Sequence, residues 1–455
     1  MIGALGAWWR SLDVYANPRV RAMLFLGFSS GLPFALVLTT LSARLRQAGI
    51  DRTTIGYFSL VGLAYSLKYF WSPIVDRLPI PVLSRLGRRR SWMLVAQIGV
   101  VAGLVALALA NPALDARAVA LLAVCTAFAA ATQDIVVDAY RIEAAQADTQ
   151  GAMVAAYQAG YQLALICTGA GALTLAAELG WKASYLIMAV CGLVGLVTTL
   201  CIAEPMTGTS GPIRPIEPMV EAFRTRAQRW PAWIRATVAW CIGAVICPFV
   251  DFFARMGWKV GILSLSLVIT YRLNYTTMGV AANTFYLDMG FTLEQIALVS
   301  KVYGILMTIV GAFLAGILVR RYGIARTLLI GLVLLSGANL IYAHIASIHP
   351  GIAWLATAIS ADNVANGIAG TAFIAYMSSL TSPNYTATQY ALFGTLWSLP
   401  AKSIASQWGK IVDAWGYPPF FVYTAAIGIL ALPMIIWLIW REPRMREEEG
   451  VQKTP

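Results

Sequence analysis

Charge is what this chain has least of. Only 12% of its 455 residues are charged, 21 of them acidic, and histidine occurs twice. Soluble domains carry about 25% charged residues, so the deficit excludes an ordinary soluble enzyme or binding module. The six cysteines (Cys125, Cys167, Cys191, Cys201, Cys241, Cys247) fall in apolar stretches without a CxxC pair. Free thiols are expected, with neither a zinc site nor a disulfide framework. His344 and His349 lack metal-ligand spacing, and no nucleophile motif is present. No metal, cofactor or catalytic activity is expected. A receptor's large soluble module is missing too, and so are the alternating-polarity segments of a membrane barrel.

What remains is apolar. Hydrophobic residues make up 59% of the chain and the mean hydropathy is +0.70. At roughly 20 apolar residues per span, the sequence predicts an all-α integral membrane protein. Spans are expected at 20–43, 54–76, 91–110, 117–139, 150–176, 183–203, 259–287, 295–319, 324–345, 351–377, 385–410 and 418–440. The first is too long for a cleavable signal peptide. The division is a six-span half (1–203), a linker (204–258), a second six-span half (259–440) and a tail (441–455).

The net charge of +12 reads as loop charge, without nucleic acid as a partner. Lys and Arg concentrate before the first span, at 77–90, in the linker, at 320–326 and in the tail. The positive-inside rule then places both termini in the cytoplasm. Residues 231–254 are apolar enough for one more crossing, which would put Arg320, Arg321 and Arg326 outside. The expectation is therefore an amphipathic interfacial helix with Arg235, Asp251 and Arg255 towards water. A close pair of extra spans is the alternative. SPIVDRLPIPVLSRLGRRR after the second span and GILVRRYGIARTL after the eighth are similar basic loops at corresponding positions, as in transporters built from repeats.

Against this background, acids inside spans stand out. Residues 117–141 carry Gln133, Asp134 and Asp138. A carboxylate there costs roughly 2.5–3.5 kcal/mol on insertion scales, so it marks a polar cavity, an ion path or a partner. Asp134 and Asp138 share a helix face. Asp134 is the candidate proton carrier, and Asp138 a second one or part of a gate. Helix–helix hydrogen bonding is the plainer alternative for Gln133 and Asp134. Asp362 and Asn363 form a polar pair near the middle of the tenth span, the counterpart of the fourth, with the same two readings. Arg272, Lys301, Lys68 and Lys402 are intramembrane cations able to bind an anionic cargo. Arg272 can grip a carboxylate with two N–H groups, with a structural pair to Asp134 or Asp362 as the alternative. For Lys301, nearer the periplasmic mouth, the alternative is steering of anions, and for Lys68 and Lys402 it is snorkelling or internal pairing. Tyr157 and Tyr161, with Gln158 and Gln162, give the fifth span a polar stripe on which a sugar could stack; packing is the alternative.

Several stretches are similar to one known family. Asp76-Arg77 followed by Gly87-Arg88-Arg89-Arg90 resembles the loop signature of the major facilitator superfamily. LGFSSGLPFAL (26–36), TIGYFSLVGLAYSLKYFWSPIVDR (54–77), GRRRSWML (87–94), ATQDIVVDAYRIE (131–143), PFVDFFAR (248–255) and TATQYALFG (386–394) resemble the AmpG muropeptide permeases. The resemblance covers almost the whole chain. It implies a monomer in the bacterial inner membrane that imports N-acetylglucosaminyl-anhydro-N-acetylmuramyl peptides with protons, for peptidoglycan recycling. In many bacteria such import also feeds β-lactamase induction. It further implies a cytoplasmic latch of Asp76 with the Arg88-Arg89-Arg90 run, Asp76, Arg77 and Arg88 being the gating candidates. In that latch the acid caps a neighbouring helix N-terminus and pairs with arginine; plain positive-inside charge is the alternative for the arginines. One position departs from the pattern: Tyr271-Arg272-Leu273-Asn274-Tyr275 lacks the acid that the family often carries there. A carrier of another bulky anion, such as an acyl-CoA, is the alternative reading.

Overall fold

A computed structural model describes residues 13–51, 54, 58–146, 149–205, 218–348 and 351–441. Among them the structure is helical, without strands. The longer helices are α1 (Pro18–Val37), α2 (Arg88–Leu109), α3 (Ala116–Ala144), α4 (Gln150–Ile166) and α5 (Ala172–Cys201). A helix α6 (Ala232–Met256) follows the central segment. The second half holds α7 (Trp258–Thr270), α8 (Leu273–Asp288), α9 (Gly304–Tyr322), α10 (Ile324–Ile345), α11 (Ile352–Ser379), α12 (Thr386–Ala405) and α13 (Tyr417–Arg441).

Local chemistry sets many boundaries. Asn17 accepts from the Arg19 N–H at 2.9 Å, with Pro18 in the first helical position of α1. Asp115 caps α3 through the Ala118 N–H. Both use an acceptor side chain to satisfy a first-turn donor that the helix itself cannot. At Gly180 the backbone takes φ 83°, open to glycine and rarely to other residues. That bend interrupts α5 and separates the two legs expected at 150–176 and 183–203.

Eight helices among the described residues are long and apolar enough to cross a membrane. Large apolar side chains such as Phe25, Leu121, Val190 and Ile436 lie exposed on the bundle's outside, where lipid tails can cover them. Several expected spans are not continuous, among them 20–43, which breaks at Leu38, and 385–410, which breaks after Ala405. Residues 54–76 break into short turns around Leu63–Leu67, Lys68–Phe70 and Ser72–Arg77. The segment 259–287 breaks at Tyr271-Arg272, between α7 and α8.

Each half has its own apolar core. Leu32, Leu104, Ala127 and Tyr185 pack together in the first half, and Tyr271, Leu328, Phe373 and Phe393 in the second. Glycine permits the tightest crossings. A Cβ on Gly160 would lie 1.9 Å from the Leu24 carbonyl oxygen, and one on Gly367 would lie 2.3 Å from that of Thr308. Helix pairs α1–α4 and α9–α11 therefore meet backbone to backbone, as small-residue interfaces in membranes do.

Helix α6 differs in detail from the expected interfacial helix. Its Gly243 carbonyl accepts from Arg77, and its Pro248 carbonyl accepts from Gln389 Nε2 at 2.9 Å. Asp251 accepts from Gln389 Nε2 at 3.0 Å, and Arg255 donates to the Leu380 carbonyl at 3.0 Å. Asp251 and Arg255 are thus engaged by the second half, while Arg255 stays exposed. These partners all lie at the end of the bundle that carries the basic loops, and α6 is one of the eight helices long and apolar enough to cross a membrane.

Candidate functional site

In the first half, α3 builds a polar wall. Gln133 is fully buried and donates to Ser29 Oγ on α1 at 2.9 Å, a tie between helices. Asp134 is buried, and its Oδ1 has no hydrogen-bond partner among the described residues. One turn on, Asp138 is engaged on both oxygens. Arg141 Nη2 lies 3.1 Å from Oδ1, and Lys68 Nζ lies 3.7 Å from Oδ2. The two acids share a face and differ in environment, one with an oxygen left without a partner and one held by two cations.

Arg141 is the residue that sequence reasoning missed. It reads as a charge marking the end of the span, yet it is completely buried. Its Nη1 donates to Ser378 Oγ on α11 at 2.9 Å, so it joins the two halves. Its guanidinium lies 6.0 Å from the Tyr157 ring centroid and 5.3 Å from that of Tyr390, within cation–π range. The i, i+3 spacing from Asp138 was the available signal. Tyr157 packs against Tyr161, with ring centroids 6.3 Å apart, and the pair continues the α3 wall onto α4.

The second half presents Arg272 at the α7–α8 break. Its guanidinium lies over the Tyr275 ring at 4.3 Å, and its Nη1 is buried without a partner. Tyr275 occupies the place where the family resemblance led us to expect an acid. Asp362 is 9% exposed and its Oδ1 has no partner. Asn363, by contrast, is consumed by structure. It accepts from Thr308 Oγ1 and donates to the Ile359 carbonyl, both at 2.8 Å. The side chain of Lys301 lies outside the described residues. Lys402 is exposed and donates to Ser66 Oγ at 3.3 Å, away from Asp134 and Arg272.

Of the residues expected in the latch, Asp76 meets the first turn of α12. Asp76, 1% exposed, accepts from the N–H groups of Ala387 and Thr388 at 3.2 and 2.8 Å, and from Thr388 Oγ1 at 2.7 Å. A carboxylate at a helix N-terminus meets unsatisfied N–H groups and the positive end of the dipole. The arginine that pairs with its side chain is Arg89, at 2.8 Å. Arg88 donates instead to the Asp76 main-chain oxygen at 2.9 Å. Arg89 also binds Glu143 through Nε and Nη2. Arg77 reaches across to α6.

Bonds between the halves are unevenly distributed. At the basic-loop end, Asp76 meets α12, Arg141 meets Ser378, Gln150 donates to the Ala375 carbonyl and Tyr15 donates to the Phe313 carbonyl at 2.8 Å. Farther along α12, Ser66 receives longer bonds from Thr395, at 3.4 Å, and from Lys402. The bundle is fastened at one end, and among the described residues Asp134, Arg272 and Asp362 take no part in that fastening.

The chain is similar to known proteins. Residues 23–402 match the Major Facilitator Superfamily model. The chain is 33% identical over 428 residues to the anhydromuropeptide permease of Escherichia coli strain K12, covering 93% of this chain and 80% of that one. It is also 33% identical over 429 residues to the transporter AmpG 4 of Rickettsia felis, covering 94% and 97%. Among solved structures, the human organic anion transporter MFSD10 superposes with a TM-score of 0.68 at 16% identity, over 92% of this chain and all of that one. The proton:xylose symporter XylE gives 0.64 at 13% identity, over 92% and 95%. These two likenesses speak to the fold. The family model and the permease relatives settle the membership: the chain belongs to the major facilitator superfamily, among the AmpG-type permeases.

Proposed function

We propose that the protein imports anhydro-muropeptides across the bacterial inner membrane for peptidoglycan recycling, driven by protons, through two six-span halves with both termini cytoplasmic. The observation that carries this reading is the 33% identity to the anhydromuropeptide permease along 93% of the chain. The basic-loop end is the cytoplasmic end by the positive-inside rule. With that end fastened, the structure corresponds to an outward-facing state. Asp134, with an oxygen left without a partner and no part in that fastening, is the proton carrier. Asp138 passes the change of charge to Arg141 and so to the seam between the halves. Gln133, Tyr157 and Tyr161 line the first-half wall against the cargo's sugars. Asp362 is the corresponding acid of the second half. The protein works as a monomer.

The test is uptake of labelled disaccharide-anhydro-muropeptide into proteoliposomes under an imposed inward proton gradient. Wild type should accumulate the label, and Asp134→Asn should lose gradient-driven uptake while retaining binding. Accumulation by Asp134→Asn as strong as wild type would move coupling to another acid, Asp362 first. Folded wild type that takes up acyl-CoA and no muropeptide would overturn the cargo.

A further inference from the structure

We propose that Arg272 is the site for a cargo carboxylate, and that Tyr275 and Gly370 keep its guanidinium available for that contact. This deepens the muropeptide reading and rests on it.

Three independent observations meet at Arg272. The first is the break in the helix. Residue 272 stands before the first turn of α8, a sixteen-residue helix that begins at Leu273, and its side chain caps no N–H. Half-helix N-termini inside a membrane bundle favour anions through their free N–H groups and dipole. The second is the side chain itself. The guanidinium rests on Tyr275 at 4.3 Å while Nη1 is buried and unpartnered. A ring face orients the guanidinium plane without consuming its donors. A carboxylate at position 275 would consume them.

The third is the facing helix. On α11, Gly370 leaves room for Arg272: a Cβ there would lie 3.1 Å from Nη1. Asn366 and Asp362 sit one and two turns away along roughly the same face. Asp362, the nearest acid along that face, keeps its Oδ1 unpartnered; its charge attracts that of Arg272 without an ion pair between them among the described residues. A cation with unused donors therefore stands at a helix N-terminus opposite a glycine notch. The ligand chemistry that satisfies it is a carboxylate taken by the planar fork. Peptide stems supply such groups, and a neutral disaccharide does not.

The experiment compares binding of one anhydro-muropeptide, with its peptide carboxylates free and with the same carboxylates amidated, by calorimetry on purified full-length protein. Wild type should prefer the free acid by about tenfold or more, the value of a charge-assisted hydrogen bond. Arg272→Gln should bring the two forms within about twofold. Tyr275→Asp keeps the arginine but supplies a rival acid, so it should narrow the preference in the same way. It serves as the second variant if Arg272→Gln does not fold. Gly370→Ala should narrow it less.

Equal binding of the two forms by wild type would overturn this inference and leave the muropeptide assignment standing. A full acid preference retained in Arg272→Gln, or in Tyr275→Asp, would overturn it as well. Folded wild type that binds neither form would overturn the assignment and this inference together.

Discussion

The two ends of the seam between the halves are built from different materials. At the basic-loop end buried charge dominates, with Asp76 on the first turn of α12, Arg89 between Asp76 and Glu143, and Arg141 on Ser378, beside neutral bonds from Tyr15 and, at 3.3 Å, from Gln150. Away from that end, Ser66 meets Thr395 and Lys402 at 3.4 and 3.3 Å, and Lys402 is exposed. Buried charge pairs are all-or-none: losing one member leaves the other uncompensated. An exposed lysine bonded to a hydroxyl can be exchanged for water at little cost. The first end suits a catch that holds until something trips it, and the second suits a mouth that opens and closes easily.

The sharpest way to break this contrast is to remove a charge at the catch. Arg89→Ala would strand Asp76 and Glu143 in a buried site. A loss of about 3–5 kcal/mol is expected, read as a large drop in thermal unfolding temperature in detergent. A variant as stable as wild type would mean that the cluster is solvated and the catch is not what it looks like.

Asp76→Asn is milder, because an amide oxygen still accepts from Thr388 while the negative charge that faces Arg89 and the α12 N-terminus is lost. About 1–3 kcal/mol of the closed state should go, a shift of roughly 5- to 150-fold towards opening. Spin-label distances across the basic-loop end would lengthen. Unchanged distances would show that Asp76 stabilises the fold equally in both states and does no gating.

The fold class was legible in the sequence because scarce charge and twenty-residue apolar runs leave few other solutions. The breaks were not. The Tyr271–Tyr275 stretch contains no glycine or proline to announce an interruption. What competes with the helix there is local and tertiary: Asn274 Oδ1 accepts its neighbour's N–H at 2.7 Å, and Arg272 is drawn onto Tyr275. Side chains that bond the adjacent backbone offer it an alternative to the helix ladder, but whether they do so depends on the surroundings.

At the site, the acids on α3 were legible as residues that lipid would reject. Their partners were not, because pairing crosses helices. Arg88 and Arg89 are adjacent and identical in type, and about 100° of helical rotation decides which faces Asp76. That rotation follows from α2 starting after Gly87, a boundary that composition does not fix. Arg141 was hidden by its position, since a basic residue at the end of a span satisfies the positive-inside expectation without further explanation.

Ser378→Ala refines the contrast by removing a single neutral partner from the catch. Arg141 keeps Asp138 and its two aromatic neighbours, so about 0.5–1.5 kcal/mol of the closed state is expected to go, with a smaller lengthening of the same distances. An effect as large as that of Asp76→Asn would make Arg141 the main fastening and the α12 cap a secondary one.

Lys402→Ala tests the other side of the comparison and should do least. Its bond to Ser66 is long and exposed, and about 14 residues of α12 separate it from Thr388, roughly 21 Å along the axis. A change of at most about 0.5 kcal/mol in the open–closed balance is expected, with cargo uptake close to wild type. A large effect would mean that Lys402 acts through its charge rather than through Ser66. Lys402→Arg would then separate the two, because it keeps the charge while changing the geometry of the hydroxyl contact. Uptake restored by arginine and absent with alanine would make the distal mouth an electrostatic funnel for an anionic cargo. Uptake that is indifferent to both would leave the fastening at the basic-loop end as the element that sets which way the carrier faces.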